Sequence, residues 1–178
     1  MITIGINNKN VIYRCLVFLL ISGMVSVCHA GEQLVSFTPA DLSILSGEIE
    51  TLQMNYDVLS GEKQTTGLTL RIHYNSKQIE SLSLKDMYGE GLLGQDYSAK
   101  EDIDDFDNDP LTDKYLSVGW VGLTGNWPAV IPPPMNLGKI VIKSRSELDS
   151  SETFINVSAN STPPGYLLVA NKLTIHIQ

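Results

Sequence analysis

The sequence predicts an all-β chain: an antiparallel, jelly-roll-like β-sandwich of about eight or nine strands. Three observations predict it. Almost every patterned segment alternates apolar and polar residues with period two, as strands do when one face is buried and the other wet. Clusters rich in Gly, Pro, Asn and Ser ("SGEKQTTG", "YNSKQ", "TGNWPAVIPPPMN", "NSTPPG") separate these segments. They are turn chemistry, because Gly and Asn tolerate positive φ and Pro presets the bend. No window longer than about ten residues carries a helical apolar stripe.

In chain order, a first strand is expected over Gln33–Phe37. "TLQMNYDV" then places Leu52, Met54, Tyr56 and Val58 on one face. "GLTLRIHYN" sets Leu68, Leu70, Ile72 and Tyr74 against Thr69, Arg71 and His73, and a weaker strand follows over Ile79–Leu84. "SLKDMYGEGLLG" is interrupted by Gly89, Gly91 and Gly94 and reads as a loop with at most one helical turn. "LSVGW" aligns Leu116, Val118 and Trp120, and "GKIVIK" alternates Ile140 and Ile142 with Lys139, Val141 and Lys143. Weaker strands over Thr153–Ala159 and Tyr166–Val169 lead to "KLTIHIQ", which aligns Leu173, Ile175 and Ile177. Short strands with one polar face and frequent turns build a sandwich, with a closed barrel as the alternative closure. The sequence shows no internal repeat.

The N-terminus predicts export. Lys9 and Arg14 precede the apolar run "CLVFLLISGMVSV", which is shorter than the roughly 20 residues of a membrane span. Cys28-His29-Ala30 supplies small residues where a signal peptidase needs them, so residues 1–30 read as a signal peptide cleaved after Ala30. A retained anchor is the competing reading; Val27, bulky before Cys28, argues against lipid attachment there. Residues 31–178 are then a single secreted domain, periplasmic or extracellular, with no membrane attachment once the leader is removed. Both cysteines fall in the leader, so this domain has neither disulfides nor a thiolate and relies on its core. At this length roughly two-thirds of the unfolded surface is buried.

Loss of Lys9 and Arg14 leaves 10 basic against 20 acidic residues, a charge of −10. So negative a surface repels nucleic acid and anionic lipid and suits neutral or cationic partners.

Residues 101–113 hold seven carboxylates. Neighbouring carboxylates two residues apart in an extended chain repel by about 0.6 kcal/mol in water, a cost that grows when the loop is ordered without counter-charge. "DFDND" offers Asp105, Asp107 and Asp109 in the D-x-D-x-D spacing that begins many calcium loops, because alternate residues converge hard oxygen ligands. Pro110 stands where an EF-hand needs glycine, and Leu116 where it needs the closing glutamate, so an EF-hand is excluded. Two readings stay open. One is an irregular calcium site of Asp105, Asp107, Asp109 and Asp113, with affinity on the order of 10⁻⁴ to 10⁻³ M. The other is a solvated loop guarding the strand that follows.

No G-x-S-x-G elbow, H-E-x-x-H or phosphate loop appears. His73 and His176 both fall on polar strand faces and read as surface residues rather than catalytic bases. Trp120 shares a face with Leu116 and Val118 and is assigned to the core. Trp127, between Asn126 and Pro128, reads as a loop residue with two uses: a carbohydrate-stacking platform, or a plug for the sandwich end.

Taken together, "TGLTLRIHYNSKQIESLSL", "DDFDNDPLTDKYLSVGW", "TGNWP", "LGKIVIK" and "INVSANSTPPGY" resemble, in their order, a cohesin-type or carbohydrate-binding-module-type sandwich of exported bacterial proteins. The resemblance spans roughly Val35 to Gln178 and implies a non-catalytic module that attaches to a protein partner or to extracellular polysaccharide, calcium-stabilised if the loop holds the ion. It transfers no binding residues. The alternatives are a carbohydrate-binding module stacking sugars on Trp127 and, third, a small secreted enzyme of unassigned reaction.

Overall fold

Alternating side chains bury one face of each strand, and two such sheets close on each other. The structure, a computed structural model, describes residues 31–147 and 149–178. The leader expected over residues 1–30, with Cys15, Cys28 and its cleavage site, lies outside the described residues.

Among the described residues twelve strands form: β1 (Gly31–Thr38), β2 (Asp41–Ile44), β3 (Ile49–Ser60), β4 (Gly67–Tyr74), β5 (Ile79–Lys85), β6 (Leu92–Gln95), β7 (Lys100–Glu101), β8 (Lys114–Val121), β9 (Met135–Ser144), β10 (Ser151–Ser161), β11 (Tyr166–Ala170) and β12 (Leu173–Ile177). One sheet has five strands in the order β11-β1-β3-β9-β5. The other has seven, in the order β2-β12-β10-β4-β8-β6, with β7 also paired to β8. The fold is therefore the expected β-sandwich. Nine of its strands coincide with the patterned segments; β2, β6 and β7 are additional.

Pairing is antiparallel except for β1 with β11 and β2 with β12. Both exceptions arise because β1 lies in the five-stranded sheet and β2 in the other. The chain changes sheets between Thr38 and Asp41 and brings each half beside a late strand.

The predicted apolar faces meet in one core. Leu52, Met54, Tyr56 and Val58 oppose Leu70, Ile72, Leu116 and Val118, all buried, with Ile140, Ile142, Leu173 and Ile175 beside them. Burying each such side chain stabilises by about 1.5–3 kcal/mol relative to exposure, which suits a body whose described residues include no cysteine.

The outer face of the seven-stranded sheet positions the candidate site. In register, Asn156 of β10 lies beside His73 of β4, and His73 beside Tyr115 of β8. Ser158 and Arg71 form the adjacent row.

Candidate functional site

The segment between β7 and β8 crosses that outer face and is tied to it. Asp102 N–H donates to the Asp113 carbonyl (2.9 Å), closing the loop at its neck. Within it, Asp105 and Asn108 adopt positive φ (50° and 56°), a conformation these two residue types tolerate. The Phe106 ring lies against the Arg71 guanidinium, 3.8 Å from ring centroid to Cζ, and edge-on to Tyr115. Asp102 Oδ1 accepts the Phe106 N–H (3.2 Å), and Asp109 Oδ1 the Leu111 N–H (3.1 Å). The acidic loop is thus an ordered cap.

Its acids reach inward. Asp102 Oδ2 lies 2.7 Å from His73 Nδ1, and Asp107 Oδ1 lies 3.8 Å from the same nitrogen. The other imidazole nitrogen, Nε2, is 2.7 Å from Ser158 Oγ. His73 and Asp102 side chains are 0% exposed and Asp107 3%. Asp107 is held by the Thr112 hydroxyl (2.8 Å) and by Asn156 Nδ2 (2.8 Å). Asn156 Nδ2 also donates to Asp109 Oδ2 (3.0 Å), which faces Lys172 Nζ at 3.6 Å. An open cleft of about 440 Å³ adjoins this network, lined by Phe106, Asp107, Asp109, Asn156, Ser158 and Lys172 among others.

Electrostatics follow these contacts. Burial pushes the Asp109 carboxyl up, but hydrogen bonds from Asn156 and the Leu111 N–H, with Lys172 nearby, hold it below the ordinary carboxylate value. Asp113 behaves alike: burial raises it, and bonds from the Ser76 hydroxyl and N–H (2.6 Å each) more than offset this.

The four carboxylates singled out by spacing therefore divide. Asp107 and Asp109 converge on Asn156, Asp113 is engaged with Ser76 at the loop neck, and Asp105 is exposed. His73 differs from expectation. It stands on the polar face of its strand, but the loop covers it completely. Alternation reports which side of a sheet a residue takes, not what later crosses that side. Asp102, Asn156 and Ser158 escaped sequence reasoning for the same reason; the local signal was a polar histidine on a strand whose outer face an acid-rich loop could reach.

Trp127 lies in a loop but points inward and is 1% exposed. Its ring stacks on Trp120 (5.9 Å, 25°) and leans on Tyr56 (5.3 Å), and its Nε1–H donates to the Glu90 carbonyl (2.9 Å). This is the plug arrangement. Neither ring face is open to a sugar, so the stacking role expected of Trp127 is not built here. Gly91 and Gly122 make room for it: a Cβ on Gly91 would stand 2.9 Å from the indole Cδ1, and one on Gly122 2.6 Å from the Trp127 Cβ.

No family model matches the sequence, and no curated protein matches it. Solved structures do. The cohesin of the OlpA type I cohesin–dockerin complex from Clostridium thermocellum is similar at TM-score 0.50 and 14% identity, over 83% of this chain and 98% of that one. The seventh ScaB type I cohesin of Pseudobacteroides cellulosolvens is similar at TM-score 0.49 and 8% identity, covering 83% and 91%. CaCohA2 of Clostridium acetobutylicum is similar at TM-score 0.49 and 13% identity, covering 84% and 92%. The likeness is one of fold: the chain is a cohesin-like β-sandwich.

Proposed function

We propose that the chain is an exported, non-catalytic binding module that recognises a protein partner. The observation carrying this reading is three apolar side chains left in water, one on the edge strand β6 of the seven-stranded sheet and two on the segment that follows β8. Leu93 is 70% exposed, Leu123 95% and Val130 75%. The segments that carry Leu93 and Val130 are joined through Glu90, which precedes β6. Its carbonyl receives the Trp127 indole, and its carboxylate accepts the N–H groups of Ala129 (2.7 Å) and Val130 (3.0 Å). Large apolar side chains gathered in solvent mark interaction surfaces, and an edge strand adds backbone groups for a partner to pair with. The dockerin complex of the similar Clostridium thermocellum cohesin is in keeping with a protein partner.

The reading is tested by surface plasmon resonance against a panel of dockerins, with retention on insoluble polysaccharides run beside it. Saturable protein binding is expected, weakened at least tenfold (about 1.4 kcal/mol) in the Leu93→Asp, Leu123→Asp double variant. Equal binding by that variant would overturn the surface; polysaccharide retention without protein binding would overturn the partner class.

Calcium belongs to the same proposal, at the cleft-facing rim where Asp107 and Asp109 converge on Asn156. A ligand of the native state stabilises by mass action, so millimolar Ca²⁺ is expected to raise the melting temperature over an EDTA control. No rise retires it.

A further inference from the structure

We propose that His73, Asp102 and Asp107 bind a first-row transition-metal dication, with zinc as the probe, and that this ion fastens the acidic loop to the sheet. The donors are one imidazole nitrogen and two carboxylates, a set that suits zinc or manganese better than calcium because the nitrogen is a softer ligand. Nδ1 of His73 faces Asp102 Oδ2 at 2.7 Å and Asp107 Oδ1 at 3.8 Å, and all three donor atoms lie within 4.8 Å of one another. Around a tetrahedral zinc with bonds of about 2.0–2.2 Å, neighbouring donors stand about 3.3 Å apart. The two observed separations straddle that value, so shifts of about half an ångström close the site around an ion.

Charge points the same way. Both carboxylates are buried, and His73 is the only side chain capable of positive charge within 4.0 Å of either among the described residues. An imidazolium leaves one negative charge over, and a neutral imidazole leaves two. A dication taking Nδ1 in place of its proton brings the trio to neutrality, removing the cost of a buried unpaired charge.

Each donor also has its remaining polar atom fixed from outside the trio, as metal ligands require. His73 Nε2 meets Ser158 Oγ at 2.7 Å, Asp102 Oδ1 accepts the Phe106 N–H, and Asp107 Oδ2 accepts Asn156 Nδ2. Hydroxyl, imidazole and carboxylate in line also make the order of a serine hydrolase triad. A triad leaves the second buried carboxylate, which faces the same nitrogen, without a role, and a bound dication gives it one.

The test uses the full chain with Cys15 and Cys28 replaced by serine, stripped with EDTA and titrated with zinc. One zinc per chain by elemental analysis is expected, with a rise in melting temperature on the order of 5 °C. His73→Gln and Asp107→Asn should each abolish both effects while still melting cooperatively in EDTA, and Asp109→Asn should keep them. Absence of zinc uptake by the folded chain would overturn the proposal. So would uptake unchanged in both variants, or a rise with Ca²⁺ and none with Zn²⁺.

Discussion

Trp127 closes one end of the core through three contacts: Trp120, Tyr56 and the Glu90 carbonyl. Tyr56 shares the enclosure; burial pushes its hydroxyl up to about 12 even though Gln33 and Thr65 hydrogen-bond to it. Trp127→Ala is expected to cost about 3–5 kcal/mol in urea unfolding, because a buried indole leaves a cavity that glycine-lined walls cannot refill. Trp127→Phe should cost less, retaining the stacking area but losing the indole donor. An alanine variant as stable as the wild type would mean that the ring is not enclosed. The residue scale is where sequence reading was least complete. Trp120 was assigned to the core from the face it shares with Leu116 and Val118. Trp127 sits outside any alternating segment, so its inward turn depends on Gly91 and Gly122, distant in sequence and adjacent in space.

At the scale of elements, alternation located the strands that carry their own pattern and missed those that do not. The segment "LLGQ" of β6 and the two residues of β7 alternate too briefly to be recognised, and both exist because β8 offers them a partner. The two parallel pairs, β1 with β11 and β2 with β12, were equally hidden beneath the antiparallel expectation, since a period of two is the same in parallel and antiparallel pairs. Asp96 shows how the link after β6 is secured. Its N–H donates to the Ser117 carbonyl (2.8 Å), and its carboxylate accepts the Ser117 N–H (2.9 Å) and pairs with Lys100 (2.8 Å). Burial raises this carboxyl, but Lys100 and the Ser117 N–H hold it below the ordinary value. A folded pKa below the unfolded one, about 3.9, means stabilisation present above that pH and lost as pH falls through the folded value. Asp96→Asn should therefore destabilise by on the order of 1 kcal/mol at pH 7 and by progressively less below about pH 4. A penalty that grows with acid, measured by urea unfolding across that range, would contradict the assignment.

For the whole molecule, the sandwich is a frame and the acidic loop a cap drawn across one outer face. The frame was legible because its core residues alternate. The cap was legible only as an acid-rich segment, since its landing place depends on Phe106 meeting Arg71 and on His73 receiving Asp102, contacts between residues about 30 apart. Ordering the cap is what buries a histidine and two aspartates together beside a cleft, and every chemical use of the site depends on it. Amide hydrogen exchange read residue by residue tests that ordering most directly. The Phe106 and Thr112 amides, bonded to Asp102 Oδ1 and the Asp109 carbonyl, should exchange well below free-peptide rates, and His73→Gln should release them while the β4 and β9 amides stay protected. Exchange of both amides at free-peptide rates in the unaltered chain would contradict the account.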